Sequence, residues 1–290
     1  MMKTWLVLDV HYLCHRAFHS TQNLSFKDKP TGVIFGFLKS ITALKDEFDT
    51  DRVVFCFESK RLLRSDVYPP YKRKRTATER TEEEQTAYEG LVLQISELRR
   101  RYLPKIGFKN IFSYRGYESD DVMAEIARSS ECTEDRRNEE IILVTADNDM
   151  LQCLSSNVRM YSPQKRKLMT DVWFQKTYGI NPSQWAMVKA IAGCPSDEVE
   201  GIKGVGELTA LRYVRRELPS SSAAYKSIVS AEGKAIVRRN RSLVELPYRG
   251  CPTPDLVEDD VNRAGWRQVC GMLGMRSLAA HPPIATRKRK

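Results

Sequence analysis

The sequence predicts an α/β fold with a mostly parallel central sheet and flanking helices. Short apolar segments with the length and composition of buried strands lie at 5–9, 52–57, 111–114 and 140–145. The helical stretches between them lie at 33–48, 81–103, 119–129 and 148–154. Because strands alternate with helices along the chain, the sheet is expected to be largely parallel.

Each predicted strand is followed by acidic side chains. Asp9 ends the first strand and Glu58 follows the second. The strand at 111–114 leads into the E-S-D-D sequence at 118–121, and the strand at 140–145 leads into D-N-D at 147–149. Sites in parallel sheets form beyond the carboxyl ends of the strands, so these acids are expected to lie close together.

The order of the segments predicts how the chain is organised. Thr81 followed by Glu84 is a capping box, the sequence signature of a helix start at 81. The Lys- and Arg-rich residues before it predict an exposed, partly helical segment. After residue 180 only helical patterns remain, at 182–192, 207–217, 221–229 and 233–245. We therefore expect an α/β core over 1–180 with a basic excursion at about 60–100, a helical module over 181–280 and a disordered basic tail over 281–290.

Composition limits the partners and the compartment. The chain of 290 residues carries a formal net charge of +10, which favours a polyanion, nucleic acid before membrane. No run of about 18 apolar residues predicts a membrane span, and the N-terminal apolar stretch, which Asp9 interrupts, predicts a strand rather than a signal peptide. The seven cysteines are scattered without C-x-x-C spacing, which is typical of reduced thiols in the cytoplasm.

The acids at the strand ends are candidate metal ligands. Taken singly, each is better explained as a helix cap or a solvated loop residue. Two short acidic motifs that both follow apolar strands favour a shared site instead. Hard divalent ions such as Mg²⁺ and Mn²⁺ choose oxygen ligands and relieve repulsion among carboxylates. The candidate ligands are Asp9, Glu58, Glu118, Asp120, Asp121, Asp147, Asp149 and Asp197.

Five sequence blocks resemble the motifs of one family, and they occur in that family's order. The blocks are LVLDVHYLCHRAFHS from Leu6, FCFESKRLLRSDVYPPYKRKR at 55–75, GYESDDVMA at 116–124, TADNDMLQCL at 145–154 and AGCPSDEVEGIKGVGELTA at 192–210. They are similar to blocks of the 5′ nucleases, which include phage flap endonucleases and the 5′ nuclease domain of bacterial DNA polymerase I. The resemblance runs from about residue 5 to 217.

The resemblance implies a fold and an activity. It implies a PIN-like sheet, a helical arch over the basic segment, and a helix–three-turn–helix at about 185–217 in a DNA-binding module. It also implies a metal-dependent 5′→3′ exonuclease or flap endonuclease that hydrolyses DNA phosphodiester bonds by a two-metal mechanism. The expected substrate is a 5′ flap, a branch or a single-stranded 5′ end with adjoining duplex. We expect a cytoplasmic monomer, associated with the nucleoid in a bacterium.

The resemblance also assigns residues. Asp9, Glu58, Glu118 and Asp120 would serve one divalent ion, Mg²⁺ or Mn²⁺, with Asp121 close by; Asp147 would lie between two ions, and Asp149 and Asp197 would serve the second. Lys72 and Arg75, at the base of the arch, would stabilise the charge that develops on the phosphate.

The remaining matches predict DNA contacts. Arg16 and Arg64 stand at basic positions of the family motifs, and Tyr71 would either stack on an unpaired base or pack within the arch. Gly201, Gly204 and Gly206 suit a tight turn whose N–H groups face a duplex phosphate, and in this family such turns often hold a monovalent cation such as K⁺. They follow no strand, so a dinucleotide-binding loop is the weaker explanation.

The sequence departs from the family pattern at several points. Glu58 and Cys194 stand where the family has Asp, and Leu208 replaces a Lys. A thiol is a poor ligand for Mg²⁺, so the second ion is expected to bind weakly. These departures leave open the alternative that the protein is a catalytically weakened family member that only binds DNA junctions. A PIN-type ribonuclease, and a zinc site at His11, His15 and His19, are further alternatives that the sequence favours less.

Overall fold

A computed structural model describes residues 3–21, 23–74, 79–132 and 139–283. Its main strands are β1 (Lys3–Asp9), β4 (Arg52–Cys56), β5 (Ile111–Phe112), β6 (Glu139–Val144), β7 (Val158–Ser162) and β8 (Lys167–Met169). Two small hairpins are formed by β2 (Ser25–Phe26) with β3 (Lys29–Pro30) and by β9 (Gly193–Cys194) with β10 (Val199–Glu200).

The main sheet has six strands in the order β5-β4-β1-β6-β7-β8. All neighbours are parallel except β7 and β8, which are antiparallel. The four strands predicted from the sequence are therefore confirmed as neighbours. We did not predict β7 and β8, because Arg159 interrupts the apolar run of β7 and β8 has only three residues.

Helices cover both faces of this sheet. They are α1 (Val10–Thr21), α2 (Gly32–Phe48), α3 (Leu63–Val67), α4 (Glu82–Glu97), α5 (Leu103–Ile106), α6 (Ser119–Cys132), α7 (Asp171–Tyr178), α8 (Trp185–Ala192), α9 (Glu207–Val214), α10 (Ala223–Val229), α11 (Ala231–Val244), α12 (Arg263–Met272) and α13 (Arg276–Ala279). None of these helices is both long and apolar enough to span a bilayer.

Two local predictions can be compared directly with the structure. The capping box is confirmed, since the Thr81 hydroxyl accepts from the Glu84 N–H at 3.2 Å and Glu84 Oε2 accepts from the Thr81 N–H at 2.9 Å. From α4 the chain continues through a π-helical turn, Leu98–Tyr102, into α5. The helical stretch predicted at 148–154 takes the 3₁₀ form: Asn148–Cys153 is a 3₁₀ helix, capped by Asp147, whose side chain accepts from the Asp149 N–H.

The alternation of side chains along β1 divides the core between the two faces of the sheet. Leu6 and Leu8 point into one apolar cluster and Trp5 and Val7 into the other, because successive strand residues face opposite ways. The first cluster includes residues of α2, α4 and α12, and the second includes residues of α6, α8 and α9. Helices from the predicted 181–280 module thus pack in both clusters, and that module as a separate unit remains a prediction.

Candidate active site

Asp9 brings three elements together at the carboxyl edge of the sheet. It is the last residue of β1, and its Oδ1 accepts from the Tyr12 N–H at 3.1 Å at the start of α1. The Ser119 hydroxyl donates to the same oxygen at 3.4 Å, and the Thr145 hydroxyl donates to Oδ2 at 3.1 Å. The ends of β1 and β6 and the start of α6 therefore meet at one carboxylate.

Asp9, Asp120 and Asp147 form a site that is short of positive charge. Burial raises the pKa of Asp9 to about 6, and the carboxylate of Asp147 adds to the shift. Burial, followed by Asp147 and Asp9, raises the pKa of Asp120 well above its ordinary value. Asp120 Oδ1 is buried, and no hydrogen-bond donor within the described ranges reaches it. An orphaned carboxylate oxygen beside two further carboxylates fits the requirements of a hard divalent cation.

Glu118 already has cationic and hydroxyl partners. Its Oε2 accepts from the Tyr71 hydroxyl at 2.7 Å and from Arg64 Nη1 at 3.1 Å, and its Oε1 forms an ion pair with Lys72. Burial alone would raise the pKa of Glu118, but Lys72 and Arg64 hold it below the ordinary value. Glu118 is therefore ionised at the edge of the site, with both of its oxygens engaged by protein donors.

Asp121 lies in a different environment from the one predicted for a metal ligand. Both of its oxygens bind the guanidinium of Arg64, at 2.6 and 2.7 Å, and they also accept from the N–H groups of Glu118 and Tyr248. Asp121 is fully buried. With its acceptor positions filled by protein donors, it is better explained as a structural anchor than as the metal ligand that we predicted.

The prediction that Arg64 contacts DNA disagrees with its position. Only 2% of Arg64 is exposed. Besides Asp121 and Glu118, it donates to the carbonyl groups of Leu243 at 2.8 Å and Glu245 at 3.3 Å. Burial alone would lower its pKa, but the bonds to Asp121 raise it above the ordinary value. Arg64 joins α3, α6 and the segment after α11 and has no face left for DNA.

Tyr71 takes the packing role that the sequence left open. Its ring is 5% exposed and lies in a small apolar cluster with Ala190, Val199 and Leu243. A base can stack only on an exposed aromatic face, so the predicted stacking platform is wrong in this conformation. Its hydroxyl positions Glu118 instead.

Lys72 links the basic segment after α3 to the carboxylates. Its Nζ pairs with Glu118 and lies 3.8 Å from Asp197 Oδ1, and its backbone N–H donates to the Asp197 carbonyl at 3.0 Å. Lys72 therefore lies among the acids, and its catalytic role stays a prediction. Arg75, the second predicted catalytic cation, lies outside the described residues.

A second group forms where α8 and β9 approach the 3₁₀ turn that Asp147 begins. Ligand atoms of Asp149, Cys194 and Asp197 all lie within 4.8 Å of one another. Cys194 Sγ lies 3.6 Å from Asp149 Oδ2 and 3.2 Å from the Ser196 hydroxyl. Burial raises the pKa of Asp149 to about 6 and that of Cys194 to about 12, so the thiol is neutral.

Sequence reasoning missed Lys189, which lies in this second group. Its Nζ is 3.1 Å from Asp149 Oδ1 and 3.7 Å from Glu207 Oε2. A helical Lys four residues before the G-C-P-S-D block could have drawn attention to this position, but that spacing does not pair it with Asp149.

Glu58 lies beside His11, just after the end of β4. Glu58 is half-buried after β4, and its backbone N–H donates to His11 Nδ1 at 3.2 Å. Burial lowers the pKa of His11 to about 4, so this histidine is a neutral acceptor. Throughout the described ranges, the group of Asp149, Cys194 and Asp197 is the only set of three His, Cys, Asp or Glu side chains whose ligand atoms all lie within 4.8 Å of one another, and it contains no histidine. The carboxylates of Asp9, Asp120 and Asp147 are spaced more widely than this, so a divalent ion bound there would have to draw them together.

The glycine turn lies on the surface before α9. Gly204 has a φ of +78° and open space around its Cα, and Gly206 is the N-cap of α9. Gly201 is different: a Cβ there would meet the Ala192 carbonyl oxygen at 2.1 Å, so it serves close backbone packing. Lys203, Gly204 and Gly206 are exposed, which suits phosphate contacts, whereas the buried Val205 donates its N–H to the Ile202 carbonyl. Arg16 on α1 is exposed as well.

Comparison with known proteins agrees with this geometry. A family model described as "5'-3' exonuclease, N-terminal resolvase-like domain" matches residues 4–179. Thermostable DNA polymerase I of Thermus thermophilus is 34% identical over 213 residues, which cover 72% of this chain and 24% of the polymerase. A 5'-3' exonuclease of Buchnera aphidicola subsp. Schizaphis graminum is 28% identical over 247 residues, 84% of this chain and 80% of that protein. The chain spans about a quarter of the length of the polymerases it matches.

Solved structures share the fold. The T5 D15 protein co-crystallised with metal ions matches with a TM-score of 0.69 at 22% identity. The aligned region covers 84% of this chain and 90% of the T5 chain. Human GEN1 in complex with Holliday junction DNA has a TM-score of 0.57 at 11% identity and covers 94% of this chain and 68% of its own.

A parallel sheet with carboxylates gathered at its carboxyl edge defines the class: an α/β protein of the 5′ nuclease type. The chain belongs to the 5′-3′ exonuclease family. The family resemblance of the five sequence blocks is thereby confirmed.

Proposed function

We propose that this protein is a metal-dependent 5′ nuclease that hydrolyses DNA phosphodiester bonds near 5′ ends, flaps or junctions. One observation carries the proposal: the buried Asp120 oxygen without a donor, beside Asp9 and Asp147, in a chain of the 5′-3′ exonuclease family. Structural anchors rarely keep a buried polar atom unsatisfied, whereas metal sites need such atoms.

The residues that would hold a divalent ion are Asp9, Asp120 and Asp147, with Glu118 and Glu58 at the margin. Such an ion supplies an activated water and a positive charge for the phosphate oxygens. The chain's own contribution is to hold these oxygens in place: Thr145 and Ser119 orient Asp9, and Tyr71 orients Glu118. Lys72 carries a positive charge among them, in the position from which it would meet a phosphate that carries developing negative charge.

The DNA would be held by its backbone. Exposed Arg16 lies on α1, the helix that begins beside Asp9, and the turn at 203–206 offers N–H groups to a duplex phosphate or to K⁺. We propose that the protein acts as a monomer in the cytoplasm.

The test uses a duplex with a labelled 5′ flap. We expect cleavage in Mg²⁺ or Mn²⁺ that EDTA abolishes, and a loss of at least a hundredfold in rate for Asp120→Asn, since a metal ligand is removed. The exposed Asp255→Asn is the matched control and should cleave normally.

Binding of the flap in EDTA is measured on the same samples. Tight binding by the wild type with no cleavage in either metal would instead identify a junction-binding family member. Cleavage by Asp120→Asn at the wild-type rate would show that the ion is held elsewhere.

A further inference from the structure

The group of Asp149, Cys194 and Asp197 does not fit a second Mg²⁺. The family pattern puts a carboxylate where this chain has the Cys194 thiol. Mg²⁺ demands oxygen ligands in near-ideal octahedral geometry and dehydrates reluctantly. Two carboxylates remain in the group, and Glu198, the residue after Asp197, is engaged elsewhere: both of its oxygens accept from the Lys74 N–H, at 2.8 and 3.0 Å.

Lys189 weakens this site further. Its Nζ lies 3.1 Å from Asp149 Oδ1, on a side chain that is only 12% exposed. The side chain extends from α8, whose Trp185, Val188 and Ile191 are buried in the second apolar cluster, so the helix is held against the core. Both carboxylates of the group already face an ammonium: Asp149 faces Lys189, which also lies 3.7 Å from Glu207 Oε2, and Asp197 Oδ1 lies 3.8 Å from Lys72 Nζ. A carboxylate at position 194 would add one negative charge to the group.

We propose that in this chain Lys189 takes the place of the second divalent ion. Its ammonium supplies the positive charge at Asp149, and Cys194 leaves too little negative charge for Mg²⁺ to displace it. The inference rests on the proposed nuclease function and refines it: the chain holds one Mg²⁺ tightly, at Asp9, Asp120 and Asp147, and uses a built-in cation at the other position.

The test counts bound Mg²⁺ on the purified full-length protein, by calorimetric titration and by equilibrium dialysis with metal analysis. The wild type should bind one Mg²⁺ in the range that saturates the first site. Cys194→Asp should bind a second ion roughly tenfold more tightly than the wild type does, because a carboxylate is added next to the ion. Cys194→Asp with Lys189→Met should bind two ions of comparable affinity. Lys189→Arg keeps the cation and should behave as the wild type.

Two results would overturn the inference. One is a wild-type protein that binds two Mg²⁺ with similar affinities. The other is a second-site affinity that does not change when Lys189→Met is added to Cys194→Asp, with thermal melting used to show that both variants are folded. Asp120→Asn separates the two proposals. If this variant still binds the first Mg²⁺, the assignment of the active site is wrong. The number of Mg²⁺ ions bound at the second site still decides the role of Lys189.

Discussion

At the scale of single residues, two adjacent aspartates of one motif have opposite environments. Asp121 is fully buried with both oxygens bonded to Arg64, whereas Asp120 Oδ1 meets no donor in the described part of the chain. Successive residues of a helix point about 100° apart, so one side chain turns towards Arg64 and the other towards Asp9 and Asp147. The motif alone does not reveal which carboxylate binds metal.

Replacing each of these aspartates by Asn should separate the two roles. Asp121→Asn removes the charge that compensates a buried guanidinium, and we expect a loss of about 3 kcal/mol in the free energy of unfolding. Asp120→Asn relieves a buried, unpaired charge and should leave stability in EDTA unchanged or raise it. Urea unfolding in EDTA measures both. Equal destabilisation by the two variants would contradict the division between anchor and metal ligand.

Asp9 should make the metal-free protein less stable at neutral pH. Because its folded pKa is about 6 against an ordinary value of 3.8, the folded state holds its proton more tightly, and stability falls as pH rises through that interval. Asp9→Asn should therefore be more stable than the wild type in EDTA at pH 7.5, by up to roughly 3 kcal/mol.

This difference should shrink towards zero as the pH falls to about 4. Because His11 is present in both proteins, its own titration cancels from the comparison. Urea unfolding of both proteins across this range measures the difference, and a difference that grows at low pH would contradict the argument.

At the scale of elements, the pair α8–α9 presents the glycine turn to solvent. The turn is drawn tight by the close approach of Gly201 to the Ala192 carbonyl and by the left-handed backbone of Gly204. Leu208 follows in the first turn of α9 and is 79% exposed, an unusual place for an apolar side chain beside a proposed phosphate contact. The pair α8–α9 therefore has the geometry expected of a turn that binds duplex DNA, but it lacks the positive charge that a Lys at position 208 would supply.

Leu208→Lys should strengthen duplex binding without changing the fold. A Lys at this exposed position adds one phosphate contact, so the slope of log affinity against log salt should become steeper by about 1. Val172→Lys is the matched control, since Val172 is 69% exposed in the first turn of α7. Fluorescence anisotropy of labelled duplex in EDTA at several salt concentrations measures both. A steeper slope for both variants would indicate only the added net charge.

At the scale of the whole molecule, the C-terminal helices belong to the common core. Trp266 on α12 is fully buried in the cluster that contains Leu6 and Phe37, and its indole N–H donates to the Leu278 carbonyl at 2.7 Å. Arg64 ties the segment after α11 to α6 through Asp121 and the Glu245 carbonyl. These contacts predict that the described regions unfold together.

Trp266→Ala should destabilise the entire protein by about 3 to 5 kcal/mol, the usual cost of removing a large buried aromatic side chain. Unfolding followed by both circular dichroism and tryptophan fluorescence should remain a single transition at a lower midpoint. Trp173→Ala, at a half-buried position on α7, should cost less. An additional early transition in Trp266→Ala would show that the helical module at 181–280 is a separate unit.

The sequence by itself determined the α/β class, four adjacent parallel strands, the helix start at Thr81 and the family. Each depends on local periodicity or short-range spacing: alternating and apolar runs, a capping box, and motifs in a fixed order. Because the carboxyl ends of parallel strands meet at one edge of the sheet, the sequence also correctly predicted that Asp9 and Asp120 lie near Asp147. Local patterns did not show the type of helix at 148–154, where the D-N-D residues at 147–149 begin a 3₁₀ helix.

Only the tertiary structure decided what each side chain does at that edge. Arg64, Tyr71 and Asp121 match family motifs, yet they are buried against segments far along the chain, at Leu243, Glu245 and Tyr248. Lys189 belongs to none of the motifs recognised in the sequence, yet its ammonium pairs with Asp149, 40 residues earlier in the chain. Burial and long-range pairing depend on which surfaces meet after folding, and sequence spacing carries no information about that.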